Sequence, residues 1–157
     1  EADEQFLYLP TIKRVKKISS RNKSGSFVGS EFSFEDITRQ EVLKYNYKFL
    51  RIGQLNGQQC YVINRYPLDK FSAYSRQEVW IEDSELRTIK INYFDKKGSS
   101  LKTLELLDFS KNSGYWRPMK SFMLNHQSDR STSIEVNEIK FGQGLSESSF
   151  SRGKFMH

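Results

Sequence analysis

Residue types that commonly perform catalysis are few and scattered in this chain. The single cysteine, Cys60, lies between Gln59 and Tyr61 in an apolar stretch, which is typical of a small core residue rather than of a nucleophile. Of the two histidines, His157 is the last residue, and a surface role for His126 is favoured over that of a general base. No metal-ligand spacing, nucleophile elbow, phosphate loop or dinucleotide fingerprint occurs. The sequence therefore predicts neither catalysis nor a cofactor.

Basic residues are concentrated in one stretch near the start of the chain. The net charge is +6, and residues 13–23 include six basic residues and no acidic one. These basic residues are Lys13, Arg14, Lys16, Lys17, Arg21 and Lys23. Such a run is most often a solvated strand and loop, but it also suits anionic lipid head groups or an acidic protein surface. Sheets that bind nucleic acid interleave aromatic and basic side chains, whereas here the first aromatic residue after this stretch is Phe27, so we expect no nucleic acid partner.

The elements that must position these residues are almost all predicted to be strands. Short apolar runs are separated by turn signals every 8–12 residues or so, which is typical of an antiparallel meander, and no long crossover helices intervene. Asn56-Gly57 is a strong hairpin signal because both residues tolerate positive φ. The predicted strands span residues 6–9, 14–18, 47–52, 59–66, 76–81, 86–94, 101–109, 118–125 and 131–141.

The composition indicates one ordered domain over residues 1–157 with a thin or hollow core. Only 36% of the residues are hydrophobic, yet 14% are aromatic, and aromatic residues are scarce in disordered chains. One short helix is expected over Glu35–Leu43, with Ser33 as its N-cap and two acidic residues in its first turn. In the last strand the apolar parity changes between Val136 and Ile139, which predicts a bulge near Asn137 that curves the sheet.

Two blocks of the sequence carry a specific resemblance to a known family. They are residues 6–18, FLYLPTIKRVKKI, and residues 25–37, GSFVGSEFSFEDI. Together they resemble the signature of the LolA-like outer-membrane lipoprotein-sorting family, with Val28 where Met is common and Glu31 where Asp is common. Further similarity lies at residues 79–82, 93–98, 101–104, 117–118, 125–126 and 145–151.

The resemblance implies a mainly β fold, a curved antiparallel sheet that forms part of an unclosed β-barrel with an apolar cavity for acyl chains. It also implies a non-enzymatic protein of the Gram-negative periplasm that carries lipid or lipoprotein acyl chains. A signal peptide, a helix and the first strands precede the first block in the family, so residues 1–157 are expected to be the C-terminal portion of that domain, with an apolar face left uncovered. The alternative is a periplasmic module that docks on an inner-membrane transporter or envelope complex.

The expected pocket walls are the large apolar residues of the predicted strands. Ile89, Ile91 and Tyr93 share one parity in their strand, as do Leu104 and Leu106 in the next. A slip of one residue would turn each set to the other face. The complete set of predicted pocket residues is Phe6, Tyr8, Trp80, Ile89, Ile91, Tyr93, Leu104, Leu106, Phe122 and Leu124.

The basic stretch yields a first prediction, that it holds the protein against an anionic membrane surface. Each basic residue near such a surface contributes about 1 kcal/mol, and the effect decays within a Debye length. Replacing Lys13, Arg14, Lys16 and Lys17 by Glu should abolish co-sedimentation with anionic vesicles at low salt. Uptake of a fluorescent fatty acid should survive in the same variant. Vesicle binding that persists after charge reversal, or that ignores salt in the unaltered protein, would show that the stretch is only a solvated surface.

Overall fold

The protein is almost entirely β-structure. The structure, a computed structural model, describes residues 5–38, 41–144, 146 and 148. Its strands are β1 (Gln5–Leu9), β2 (Arg14–Ile18), β3 (Tyr45–Leu55), β4 (Gln58–Pro67), β5 (Tyr74–Glu82), β6 (Thr88–Asp95), β7 (Ser100–Asn112), β8 (Tyr115–Asn125) and β9 (Arg130–Glu135). The short helix α1 covers Phe34–Ile37, and 3-10 turns lie at Pro10–Ile12, Ser20–Asn22 and Val42–Lys44. His157 and most of the similar block at residues 145–151 lie outside the described residues.

The described strands form a separate hairpin and one open antiparallel sheet. Strands β1 and β2 pair only with each other, whereas β3 to β9 follow one another as a seven-stranded meander. The two edge strands of this meander, β3 and β9, do not pair with each other, so the sheet is not closed. The turn between β3 and β4 has positive φ at Asn56 and Gly57, as predicted. The predicted mainly β, unclosed antiparallel fold is thus confirmed.

Irregularities in strand pairing curve the sheet. The register shifts at Phe49/Arg51 in β3, at Tyr74/Arg76 and Trp80/Ile81 in β5, and at Tyr93/Phe94 in β6. Each shift adds local twist. The bulge predicted near Asn137 is wrong, because β9 ends at Glu135 and residues 136–144 have no regular structure. The change of parity in that stretch marks the end of the strand.

The helix begins where predicted but is much shorter. Asp36 N donates to Ser33 Oγ over 3.2 Å and Ser33 N donates to Asp36 Oδ2 over 2.7 Å, so Ser33 is the N-cap of a capping box. The helix stops at Ile37, since Thr38 is extended, while Val42–Lys44 forms a separate 3-10 turn. The predicted residues 39 and 40 lie outside the described residues. Within the described chain, no helix is long and apolar enough to cross a membrane.

The core lies on one face of the seven-stranded sheet, here called the inner face. Val79, Ile91, Leu104 and Met123 are neighbours across β5 to β8 and are all buried. Residues 25–37, here called the signature segment, lie against this face, and Phe32 of the segment is only 4% exposed within the same core. The face expected to be uncovered is therefore partly covered by the signature segment.

A smaller apolar cluster on the opposite, outer face makes Gly53 sensitive to substitution. A Cβ at Gly53 would lie 3.0 Å from the Trp80 ring and 3.3 Å from Val62 Cγ2. We expect Gly53→Ala to lower the free energy of unfolding by about 1–3 kcal/mol, the usual cost of overpacking. Urea unfolding of Gly53→Ala, Trp80→Leu and the double variant should show strong coupling, because the smaller Leu removes the clash. Purely additive effects would contradict the contact.

Candidate functional site

The inner face and the signature segment enclose an open cleft. Its volume is about 360 Å³, within the roughly 300–1,000 Å³ that is usual for small-molecule sites. The signature segment contributes Phe32, Asp36 and Ile37, and the sheet contributes Arg65, Thr88, Ile91, Tyr93, Leu104, Leu106, Ser121 and Ile134. Aliphatic and aromatic side chains dominate this lining, and Ile37 and Ile134 remain 44% and 36% exposed at its opening. The chemistry of the cleft suits an apolar chain.

A buried ion pair fixes the signature segment above the cleft. Lys102 Nζ of β7 lies 2.6 Å from Asp36 Oδ2, and their side chains are only 6% and 1% exposed. The same ammonium group donates to the carbonyl of Glu31 over 3.0 Å. Tyr74 donates its hydroxyl to Asp36 Oδ1 over 2.6 Å. With the bond from Ser33 N, both carboxylate oxygens of Asp36 accept hydrogen bonds, as a buried charge requires.

Further polar contacts hold the segment along its length. Glu31 accepts from Asn125 Nδ2 over 2.7 Å and pairs with Arg130 Nε at 3.2 Å, and its backbone N–H donates to Thr132 Oγ1 over 3.1 Å. At the other end, Glu35 accepts from the Ser72 hydroxyl and from the backbone N–H of Ala73. The segment is thus attached to β7, β8, β9 and to the β4–β5 connection.

Burial shifts the pKa values of several ionisable groups around the signature segment. Burial, followed by the nearby Asp36 carboxylate, raises the pKa of Tyr74 and of Tyr93 well above the usual value, so both phenols stay neutral. Burial also raises the pKa of Glu35, and its hydrogen bonds from Ser72 and Ala73 partly offset this effect. No group of three or more His, Cys, Asp or Glu side chains is arranged for a metal among the described residues.

Four of the predicted pocket residues come together in the cleft. Ile91, Tyr93, Leu104 and Leu106 all line it, as their shared parity predicts. Ile89 does not join them, because the register shift opposite Trp80/Ile81 displaces it. Ile89 instead lines a separate cleft, together with Lys90 and Glu105.

The remaining predicted pocket residues lie elsewhere. Trp80 is on the outer face opposite Val62, where its indole N–H donates to Glu78 Oε1 over 2.9 Å. Met123 is buried on the inner face, and neighbouring residues of a strand point to opposite faces. Phe122 and Leu124 therefore lie on the outer face as well. Phe6 and Tyr8 lie in the separate hairpin, paired in register with Lys17 and Val15, and neither lines the cleft. The structure therefore divides the predicted set among four places: the inner cleft, the cleft that Ile89 lines, the outer face and the hairpin.

The basic stretch is also divided. Lys13, Arg14, Lys16 and Lys17 are exposed on the hairpin, with Lys17 Nζ 5.8 Å from the Phe6 ring. Arg21 follows the hairpin and lies 5.7 Å from the Phe71 ring. Lys23 is separate from them in a small cleft that Glu35 and Asp69 also line. The six basic residues do not form one uniform patch.

Several cleft residues were missed at the sequence level. Phe32 and Ile37 belong to the second block that resembles the family, residues 25–37, and that resemblance could have indicated them as site residues. Lys102 and Asp36 are 66 residues apart, so no local pattern reveals their pairing. Ser121 and Ile134 become visible only when the register of β7, β8 and β9 is known.

The described residues form an open antiparallel sheet with an apolar cleft on one face, and solved structures with the same fold were found. An outer membrane lipoprotein-sorting protein domain from Vibrio parahaemolyticus is 41% identical with a TM-score of 0.96, and the match covers 100% of this chain and 67% of that one. A DUF1329 family protein from Desulfovibrio piger is 28% identical with a TM-score of 0.92, over 99% and 65% of the two chains. The chain spans about two thirds of the length of both.

A more distant relative and a family model extend the comparison. A LolA superfamily protein from Nitrosomonas europaea shares the fold with a TM-score of 0.72 at 18% identity, over 96% of this chain and 67% of that one. A family model described as "uncharacterized protein" matches residues 1–156. No curated protein matches the chain by sequence. The chain belongs to the LolA-like family of outer-membrane lipoprotein-sorting proteins.

The buried pair yields a prediction about stability. Lys102→Met leaves the Asp36 carboxylate buried without its cation, so we expect a loss of about 3–5 kcal/mol in the free energy of unfolding. The control is Lys120→Met, which breaks an exposed pair with Glu135 and should cost less than about 1 kcal/mol. Urea unfolding measures both. Equal losses in the two variants would contradict the role assigned to Lys102.

Proposed function

We propose that this protein is a non-enzymatic carrier that binds the acyl chains of lipids or lipoproteins in the inner cleft. The observation that supports this most directly is the cleft itself, whose lining is mainly apolar and whose cover, the signature segment, is held in place by ionic contacts. The relative from Vibrio parahaemolyticus is described as an outer membrane lipoprotein-sorting protein domain, which supports the same function. The chemistry needed is burial of apolar surface, worth about 0.8 kcal/mol for each methylene group removed from water.

The proposal places this step in the periplasm of a Gram-negative bacterium, in lipoprotein sorting or lipid traffic to the outer membrane. An inner-membrane transporter is the proposed donor of the cargo. As a single domain, residues 1–157 are proposed to form the C-terminal portion of a longer LolA-like domain. The inner cleft contributes one wall of the binding site in that arrangement.

The open form of the cleft suits reversible binding. Ile37 of the signature segment and Ile134 of β9 both line the cleft and are each more than a third exposed. An acyl chain in the cleft would cover both side chains and contact Leu104 and Leu106. The burial of apolar surface gained on binding would be lost again when the acyl chain leaves, and no covalent step is needed.

Two residues of equal exposure on opposite faces test the cleft. Ile134 is 36% exposed on the inner face, and Leu107 is 37% exposed on the outer face. Ile134→Asp should weaken binding of a fluorescent fatty acid at least tenfold, because it places a charge at the opening of the cleft. Leu107→Asp should leave binding unchanged. Titration of both variants, with thermal unfolding as a check on folding, measures the difference, and equal affinities would exclude the inner cleft.

One observation favours a second function, docking on a transporter or envelope complex. Strand β3 is an edge strand that exposes Tyr47, Phe49 and Ile52 at 45%, 59% and 58%, and Leu43 just before it is 89% exposed. Exposed apolar side chains on an unpaired edge favour protein contacts. Mass spectrometry of organic extracts separates the two functions. Co-purifying phospholipid or fatty acid supports the carrier, whereas lipid-free protein together with a stable complex supports docking.

A further inference from the structure

A second cleft lies between the β1–β2 hairpin and the signature segment. Its volume is about 320 Å³. Lys16 and Arg21 line it together with Asn22 and Ser24, and Ile18 and Phe34 provide apolar surface. No Asp or Glu belongs to its lining in the part of the chain that the structure describes. The cleft therefore combines two cations with neutral hydrogen-bond donors.

The polar groups of this cleft have few partners within the protein. Neither Lys16 nor Arg21 pairs with a carboxylate among the described residues, and the Arg21 guanidinium lies 5.7 Å from the centre of the Phe71 ring. The side chains of Asn22 and Ser24 also form no hydrogen bond within the described chain. By contrast, Lys23 shares its cleft with Glu35 and Asp69. The unpaired donors of the second cleft are thus available to an anion.

We propose that this cleft binds a phosphate group, with Lys16 and Arg21 as its cationic ligands and with Asn22 and Ser24 as neutral donors. Charge-assisted hydrogen bonds from Lys and Arg are the usual means of phosphate recognition. The inference rests on the proposed function where it assigns the phosphate to the head group of a bound lipid. Free phosphate is the other source of the same chemistry.

The apolar residues of the cleft favour the lipid source. Ile18 is only 5% exposed at the end of β2, and Phe34 packs edge-on against Phe27 at 5.5 Å between ring centroids. Phe27 in turn packs against the inner-face core. Packed apolar side chains therefore continue from this cleft to the core, so a ligand with an anionic head and an apolar tail would meet apolar surface beyond the cations.

The test uses two charge-matched double variants of the full chain. Lys16→Gln/Arg21→Gln removes the cations of the cleft, whereas Lys13→Gln/Arg14→Gln removes two cations of the same stretch that do not line it. Short-chain phosphatidic acid in monomeric form and inorganic phosphate are titrated separately and followed by NMR. We expect the cleft variant to lose at least tenfold in affinity for phosphatidic acid, while the control variant stays within about twofold.

The two ligands and a neutral probe separate the outcomes. Tighter binding of phosphatidic acid than of inorganic phosphate supports the lipid head group, and equal binding supports free phosphate. Equal losses in the two double variants, or no loss in either, would overturn the site. An uncharged fluorescent acyl ester should bind the Lys16→Gln/Arg21→Gln variant normally and the Ile134→Asp variant weakly, so failure of the phosphate site is distinguishable from failure of the inner cleft.

Discussion

The buried pair between Asp36 and Lys102 is the interaction on which the site depends. Two charges removed from water are costly unless each is paired and hydrogen-bonded, and here the carboxylate accepts from Tyr74, Ser33 and Lys102. The capping box that starts α1 orients Asp36 towards the sheet, so a helix of four residues is long enough to place this carboxylate beside Lys102. The helix serves to orient Asp36, because an isolated turn of helix has little stability of its own.

The pair converts an open sheet into a covered cleft. A curved antiparallel sheet with apolar residues on one face must bury that face against something. The signature segment does this with Phe27 and Phe32, but it does not fill the space over the face, and the cleft lies between the segment and the sheet. Polar side chains, among them the buried Asp36 and Lys102, hold the segment, and much of the apolar surface beneath it stays accessible in the cleft.

The open sheet, its strands and the helix start could be predicted from the sequence, because alternation, turn residues and caps are local signals. Parity placed Ile91, Tyr93, Leu104 and Leu106 on one face correctly. It failed in β8, where Phe122, Met123 and Leu124 are all apolar and both faces fit the pattern. It also failed at Ile89, since a bulge in the pairing of β5 and β6 changes the parity there. The contacts of Lys102 and Glu31 could not be predicted from the sequence, because they join residues far apart in the chain and depend on the register of the strands.

The way in which the segment is attached bears on how a ligand could enter. Its backbone hydrogen bonds run within itself or to neighbouring loop residues, as in Phe27 N to Phe32 O and Glu35 N to Lys23 O. Within the described residues, every hydrogen bond from the segment to the sheet involves a side chain on one partner. Moving the segment would therefore break no strand ladder. Opening at the Asp36–Lys102 pair would expose two buried charges, so we expect any movement of the cover to be local and away from that pair, while the sheet stays intact.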